Sequence, residues 1–249
     1  MLRDAGITPI ALGGRDKWHG HFWWVYLAIR EGGQAAFEAA YTREGSFADP
    51  AFVAAGERLQ ELIALEPFQT DFMAMGYGQH AALIGNGEAA MELMGQWAPG
   101  VQAGNSTSGT GLPEGELGWF PFPVVEGGAG TPTDVLGGGD GIAVGVNAPD
   151  AAVDFLRFLT TPEVQERYVA LNTGFIPVVV GTEESITDPL LQQVLEARNS
   201  AAYYQLYYDQ FLPPAVAQTV LDAVEGLFVG VFSPEDAAQS IEDTASFEL

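Results

Sequence analysis

There is no cysteine in this 249-residue chain, so disulfides, thiolate catalysis and cysteine-ligated zinc are excluded together. Lysine is nearly absent too: Lys17 stands alone, and with the eight arginines it faces 33 acidic residues, for a formal net charge of −24. A field of that sign repels nucleic-acid phosphates and anionic lipid. The nearest approach to a basic patch, Arg3, Arg15 and Lys17, is interleaved with Asp4 and Asp16, so no nucleic-acid partner is expected. No apolar run approaches the roughly 18 residues that a membrane span needs, and no charged-then-apolar leader stands at the N-terminus. Nor does any period of about 20 to 50 residues recur, which leaves solenoids and propellers without support.

The residues that are present describe a folded protein: 47% are hydrophobic, 11% aromatic and only 17% charged. The length suits one large or two modest globular units. One helix-starting device recurs, a polar capping residue followed by proline at the first helical position, at Asp49-Pro50, Thr161-Pro162, Asp188-Pro189 and Ser233-Pro234. After the first of these, Val53, Leu59, Leu62 and Ile63 share one face with Glu57, Arg58 and Glu61 opposite. Similar helical patterns cover 151–159, 164–171, 190–197 and 216–228. Short apolar runs flanked by glycine, at 7–12, 89–94, 118–122 and 142–146, read as strands. The alternation predicts an α/β architecture, in which ligands sit where loops leave the strand ends. From 100 to 141 glycine, proline, serine and threonine dominate, broken by Gly118-Trp119-Phe120-Pro121-Phe122-Pro123, a stretch suited to passing between two lobes. The polar tail after Ala238 is expected to fray.

Five tryptophans and eight tyrosines are more than a core requires. Trp18 lies in the polar, glycine-rich loop Gly13-Gly14-Arg15-Asp16-Lys17-Trp18-His19-Gly20, and Trp97 follows the strand expected at 89–94. A sugar ring has apolar C–H faces and a fringe of hydroxyls, so it favours an aromatic platform bordered by carboxylates and amides. Either these two rings form such a platform or they pack the surfaces of a lobe. Trp23 and Trp24, inside the apolar stretch 22–29, read as core. Gly137-Gly138-Gly139-Asp140-Gly141 precedes an expected strand and has neither the spacing nor the following residues of a nucleotide loop. It is either a close backbone approach to a ligand, with Asp140 accepting hydrogen bonds from hydroxyls, or a flexible lobe junction. His19, His21 and His80 lack an acidic partner at metal-site spacing, so no metal and no cofactor are expected. No nucleophile elbow, His-Glu-x-x-His or kinase-type loop occurs, although acid pairs for glycoside hydrolysis are too plentiful to dismiss by counting.

The succession Ala5-Gly6-Ile7-Thr8-Pro9-Ile10-Ala11-Leu12-Gly13-Gly14 with Asp16-Lys17-Trp18, then Asn86-Gly87-Glu88-Ala89-Ala90-Met91 leading to Met94-Gly95-Gln96-Trp97, resembles family 1 extracellular solute-binding proteins of ABC importers. Gly118 to Pro123, Gly138 to Val144, Ala152 to Leu159, Gly174 to Pro177 and Ser233 to Ala238 continue the resemblance in order. It implies an α/β fold of the periplasmic binding protein-like type II class, of the maltose-binding type, with two hinge-closing lobes. It implies too that a sugar or oligosaccharide is captured outside the cell or in its envelope and presented to an importer permease, without catalysis. Carried over by position, Trp18 and Trp97 would stack, Asp16 and Asp140 would take hydroxyls, Gly139 would permit close approach, and Tyr207 and Gln210 would come from the last part of the cleft wall.

Members of that family normally begin with an export signal and most of a first lobe ahead of anything like Gly6-Ile7-Thr8-Pro9, so a C-terminal fragment with an incomplete first lobe is expected. On that basis 1–118 and 161–249 belong to the second lobe and 119–160 comprise a crossing strand and part of the first. A carbohydrate-active enzyme using two of the acids, or an interaction module completed by another chain or by oligomerisation, are the alternatives.

Overall fold

The computed structural model describes residues 2–171 and 173–249. In chain order its elements are β1 (Thr8–Ile10), α1 (Trp18–Tyr41), α2 (Pro50–Ala64), α3 (Tyr77–Gly85), β2 (Ala89–Met91), α4 (Ala98–Asn105), β3 (Val135–Gly137), α5 (Asp150–Leu159), α6 (Pro162–Val169), α7 (Pro189–Asn199), β4 (Tyr204–Leu206), α8 (Tyr208–Phe211), α9 (Pro214–Phe228) and α10 (Pro234–Glu248). All four cap-then-proline pairs open helices, because proline's fixed φ suits the first turn and its missing N–H would have no partner there. At two of them the cap itself is made: Asp188 accepts from the Leu190 N–H and Ser233 from the Asp236 N–H.

The main core lies among α1, α2, α9 and α10, where Trp24, Val25, Phe52, Leu59, Val220, Val224 and Ile241 are buried. Trp23 packs against that core beside Phe68 and Phe122. The tail is helical as far as Glu248. Ala237, Ala238, Ile241 and Ala245 recur at helical spacing and are all buried, and Glu242 is held by Arg43; a polar average concealed an apolar stripe.

Sheet structure is sparse. β1 pairs with β2 and β3 with β4, both parallel, with Thr8 opposite Ala89 and Gly137 opposite Leu206. The runs at 118–122 and 142–146 are not strands. Ile142 and Val146 are exposed, as are Phe155 and Phe158 on α5, a helix with no buried residue. Their apolar patterning suits a sheet and the helix that covers it. A strand, however, forms only against partner backbone, and the described residues supply none there.

A break in α1 fixes where the glycine-rich segment crosses. Gly33 adopts φ 61° and ψ −168°, a left-handed value that glycine tolerates. The carbonyls of Arg30 and Glu31 are thereby released and accept from the Gly130 and Ala129 N–H groups, each at 3.0 Å. Beside this break Arg30, 1% exposed, spreads its guanidinium over three backbone carbonyls. Nε donates to Pro123 at 3.0 Å, Nη2 to Phe122 at 2.9 Å and Nη1 to Asp134 at 3.0 Å. Tyr26 and Phe122 stack on each other 4.5 Å apart, and the guanidinium carbon lies beside the pair, 5.6 and 5.8 Å from their ring centroids. Phe122, Val125 and Leu136 consequently pack on the main core.

Arg30→Ala should lower stability by about 3–5 kcal/mol in urea unfolding, because buried carbonyls lose their donors. Arg30→Lys should recover only part of the loss, since one ammonium cannot reproduce the planar fork.

Candidate functional site

The turn into α1 is tightly determined. A Cβ at Gly13 would stand 2.8 Å from His80 Nδ1, and one at Gly14 2.7 Å from Met73 Sδ. Lys17 then takes the left-handed φ of 59°. Its Nζ reaches Asp222 Oδ1 and Glu225 Oε2 on α9, both at 2.7 Å, and this double ion pair holds the turn against its strain.

Trp18 therefore opens a helix, and its ring is half-buried. It lies flat on His19, with centroids 3.5 Å apart, and meets Tyr77 and Phe22 edge-on at 5.2 and 5.3 Å. Phe22 stacks on Tyr207 at 4.7 Å. At the other end the buried Tyr77 hydroxyl lies beside the Trp97 indole. Trp97 caps α4 and folds back over Gly95, where any Cβ would overlap its ring. Trp97, Tyr77, Trp18, Phe22 and Tyr207 thus form one aromatic run drawn from α1, α3, the start of α4 and the end of β4.

At the Tyr207 end, a Cβ on Gly138 would lie 2.5 Å from the Tyr207 ring and 2.8 Å from Gln210 Oε1. The close approach within the protein therefore falls at Gly138, while Gly139 has open space around it. Gly139, Asp140 and Gln210 are exposed. Burial pushes the Tyr207 hydroxyl well above its ordinary range, and the Asp140 carboxylate is among the charges that add to this. Asp16 is partly committed elsewhere: Oδ2 accepts the Tyr77 N–H at 3.0 Å and Oδ1 the Arg15 Nε at 3.2 Å. Burial works to raise its carboxyl, but these donors outweigh it and leave it below the usual range. An open depression of about 490 Å³, lined by Arg15, Gly76, Gly78, Gln79, Ala82 and Asn105, borders the run on the α3 side.

Of the residues singled out in the sequence, Trp18, Trp97 and Tyr207 fall in this run, Gly139, Asp140 and Gln210 lie toward its Tyr207 end, and Asp16 bonds to the Tyr77 N–H; Tyr77 and Phe22 were not among them. Tyr77 had a signal in Gln79, three residues after Gly76, whose side chain accepts the Gly76 N–H and opens α3. Phe22 looked like core. The three histidines all lie on helices and are buried. His21 Nδ1 donates to the Trp18 carbonyl at 2.7 Å and its Nε2 stands 3.4 Å from Asp209, while His80 Nε2 lies 2.7 Å from Glu92. Neither ring nitrogen of His19 has a hydrogen-bond partner. Among the described residues no three histidines or acids gather in a way that could hold a metal ion.

The family profile for bacterial extracellular solute-binding proteins matches residues 1–166. An ABC transporter extracellular-binding protein of Pyrococcus horikoshii is 28% identical over 202 residues, which are 80% of this chain and 42% of that protein. A structure from work on xylan utilization by the thermophilic bacterium Caldanaerobius polysaccharolyticus superposes with a TM-score of 0.85 at 26% identity, covering 97% of this chain and 62% of that one. A chitin oligosaccharide binding protein gives a TM-score of 0.83 at 24% identity, with 99% and 62% covered. The fold is α/β, of the periplasmic binding protein-like type II class, and the chain spans 42% of the length of the Pyrococcus protein and 62% of each of the two structures. No helix among the described residues is long and apolar enough to cross a membrane.

Burial of His19, with His80 close by, drives its pKa down from the ordinary 6.5 to about 3, and burial lowers His21 too. Between those values the unfolded chain binds a proton that the folded one does not. Stability is therefore full above pH 6.5 and falls as the pH drops toward 3, by about 1.4 kcal/mol per unit for His19. The urea midpoint should decline from pH 7 to 4.5, and His19→Phe, which keeps a ring against Trp18, should flatten that decline.

Proposed function

This chain belongs to the bacterial extracellular solute-binding protein family, and from that premise we propose that it captures a mono- or oligosaccharide for delivery to the permease of an ABC importer, without catalysis. The observation that carries the reading is the continuous aromatic run ending on an exposed carboxylate and an exposed amide. Faces of Trp18 and Trp97 suit the apolar C–H surfaces of sugar rings, while Asp140 and Gln210 suit their hydroxyls; Gly139 leaves room for close approach, Tyr207 backs that end and Asp16 contributes from the α3 side. The association of structural neighbours with xylan utilization and with chitin oligosaccharides supports the class of ligand. Such a protein works outside the cell or in its envelope.

We assign 1–118 and 161–249 to the second lobe and 119–160 to the crossing and part of the first. Exposed apolar side chains at Ile142, Val146, Phe155 and Phe158 support this, because a face of that character calls for cover by further polypeptide.

Thermal unfolding measured with xylo-oligosaccharides, chito-oligosaccharides and raffinose should show a rise in Tm with at least one, and no new product in the mixture. No shift with any of the three would overturn the carbohydrate reading, and turnover would replace it with an enzymatic one. Trp97→Ala should weaken the stabilising sugar about tenfold or more, roughly 1.4 kcal/mol, while the ligand-free Tm stays near that of the parent.

A further inference from the structure

The aromatic run is assembled from separate elements, and one buried anion joins them. Glu92 follows β2 directly, and its side chain is 7% exposed. Oε2 accepts from His80 Nε2 on α3 at 2.7 Å, and Oε1 accepts from the Gln102 side-chain amide on α4. Both partners are themselves buried. His80 stands one helical turn after Tyr77, with ring centroids 5.3 Å apart. Its ring meets His19 edge-on at 5.0 Å, and His19 in turn lies flat on Trp18. Gln102 lies on the helix whose first turn begins at Trp97. From one carboxylate, then, short paths lead to each of Tyr77, Trp18 and Trp97.

We propose that Glu92 is the positioning residue of the platform: its carboxylate fixes the spacing and tilt of the Trp18, Tyr77 and Trp97 rings through His80 and Gln102. That these rings take a sugar rests on the function proposed above; that Glu92 sets their arrangement does not. A carboxylate with two charge-assisted bonds is a stiffer joint than apolar contact, because it fixes direction as well as distance. His19 packs on both His80 and Tyr77, each with centroids 5.0 Å away, so its ring, and Trp18 upon it, is set in part by the neighbour that Glu92 orients.

The test separates the two claims. Near-ultraviolet circular dichroism of the ligand-free protein reports how the tryptophan and tyrosine rings are coupled, whether or not any sugar binds. Glu92→Ala should lose at least half of that signal with far-ultraviolet helix content retained. Glu92→Gln, which keeps one acceptor and the side-chain volume, should restore most of it. Glu242→Gln, which breaks a pair with Arg43 at the other end of α1, should leave the spectrum as it is. In titration with xylotriose, followed by tryptophan fluorescence, Glu92→Ala should weaken binding at least tenfold and Glu92→Gln less. An unchanged aromatic spectrum in Glu92→Ala would overturn the proposal. Should Glu92→Ala fail to fold, Gln102→Leu, which removes the bond toward the helix that Trp97 opens, decides in its place, and an aromatic spectrum equal to the parent's would then overturn the proposal. A spectrum that changes as expected in a protein binding neither xylotriose nor the other sugars would uphold the positioning role and remove the carbohydrate reading.

Discussion

The arrangement of this chain turns on one cation inside the protein. Arg30 sits in the middle of α1, and its guanidinium serves carbonyls from two stretches that neither helix nor ladder supports, Phe122–Pro123 and Asp134. Burying a charge is costly, and three charge-assisted bonds with two aromatic faces offset that cost. A guanidinium alone among side chains offers enough donors in one plane to do this. With that grip in place α1 becomes the spine of the molecule. Its N-terminal turns carry Trp18, His19 and Phe22, its middle holds the stretch from Phe122 to Asp134, and the break at Gly33 supplies the carbonyls that Ala129 and Gly130 need.

Elsewhere too, single side chains replace the missing strand partners. The four strands among the described residues have three residues each. The Gln69 amide closes on Leu12, accepting its N–H and donating to its carbonyl, much as a neighbouring strand would. Gln165 donates to the Leu159 carbonyl and accepts the Val178 N–H. Loop positions in this fold are therefore set by a few long polar side chains, each buried or half-buried. Each is a point where one substitution disconnects two segments.

This explains which parts could be read from the sequence. Helix starts were legible because the cap and the proline act within one turn, and Asp188 or Ser233 carries its whole instruction locally. The aromatic run was legible in part, since Trp18 and Trp97 stand near glycines. Arg30 and Glu92 were not: the partners of Arg30 lie 92 to 104 residues away and those of Glu92 on two other helices, and either residue resembles any other charged one until its partners are known. Residues 118–122 and 142–146 misled in the opposite sense: their apolar patterning suggests strands, but they form none, because pairing is a property of two segments. The tail after Ala238 misled because average polarity hid the spacing of Ile241 and Ala245.

The run from Trp97 to Tyr207 is packed before any ligand arrives. Trp18 is stacked beneath, met edge-on at both sides, and carried by a turn that Lys17 fixes to α9. Rings already immobilised lose little freedom on contact, so more of the contact energy appears as affinity. On the proposed reading the two ends are unequal. Asp16 is engaged by the Tyr77 N–H and Arg15, whereas Asp140 and Gln210 are exposed. Stacking therefore predominates toward Trp97 and hydroxyl recognition toward Asp140. On that reading a ligand long enough to cover both ends would be held in one direction along the run.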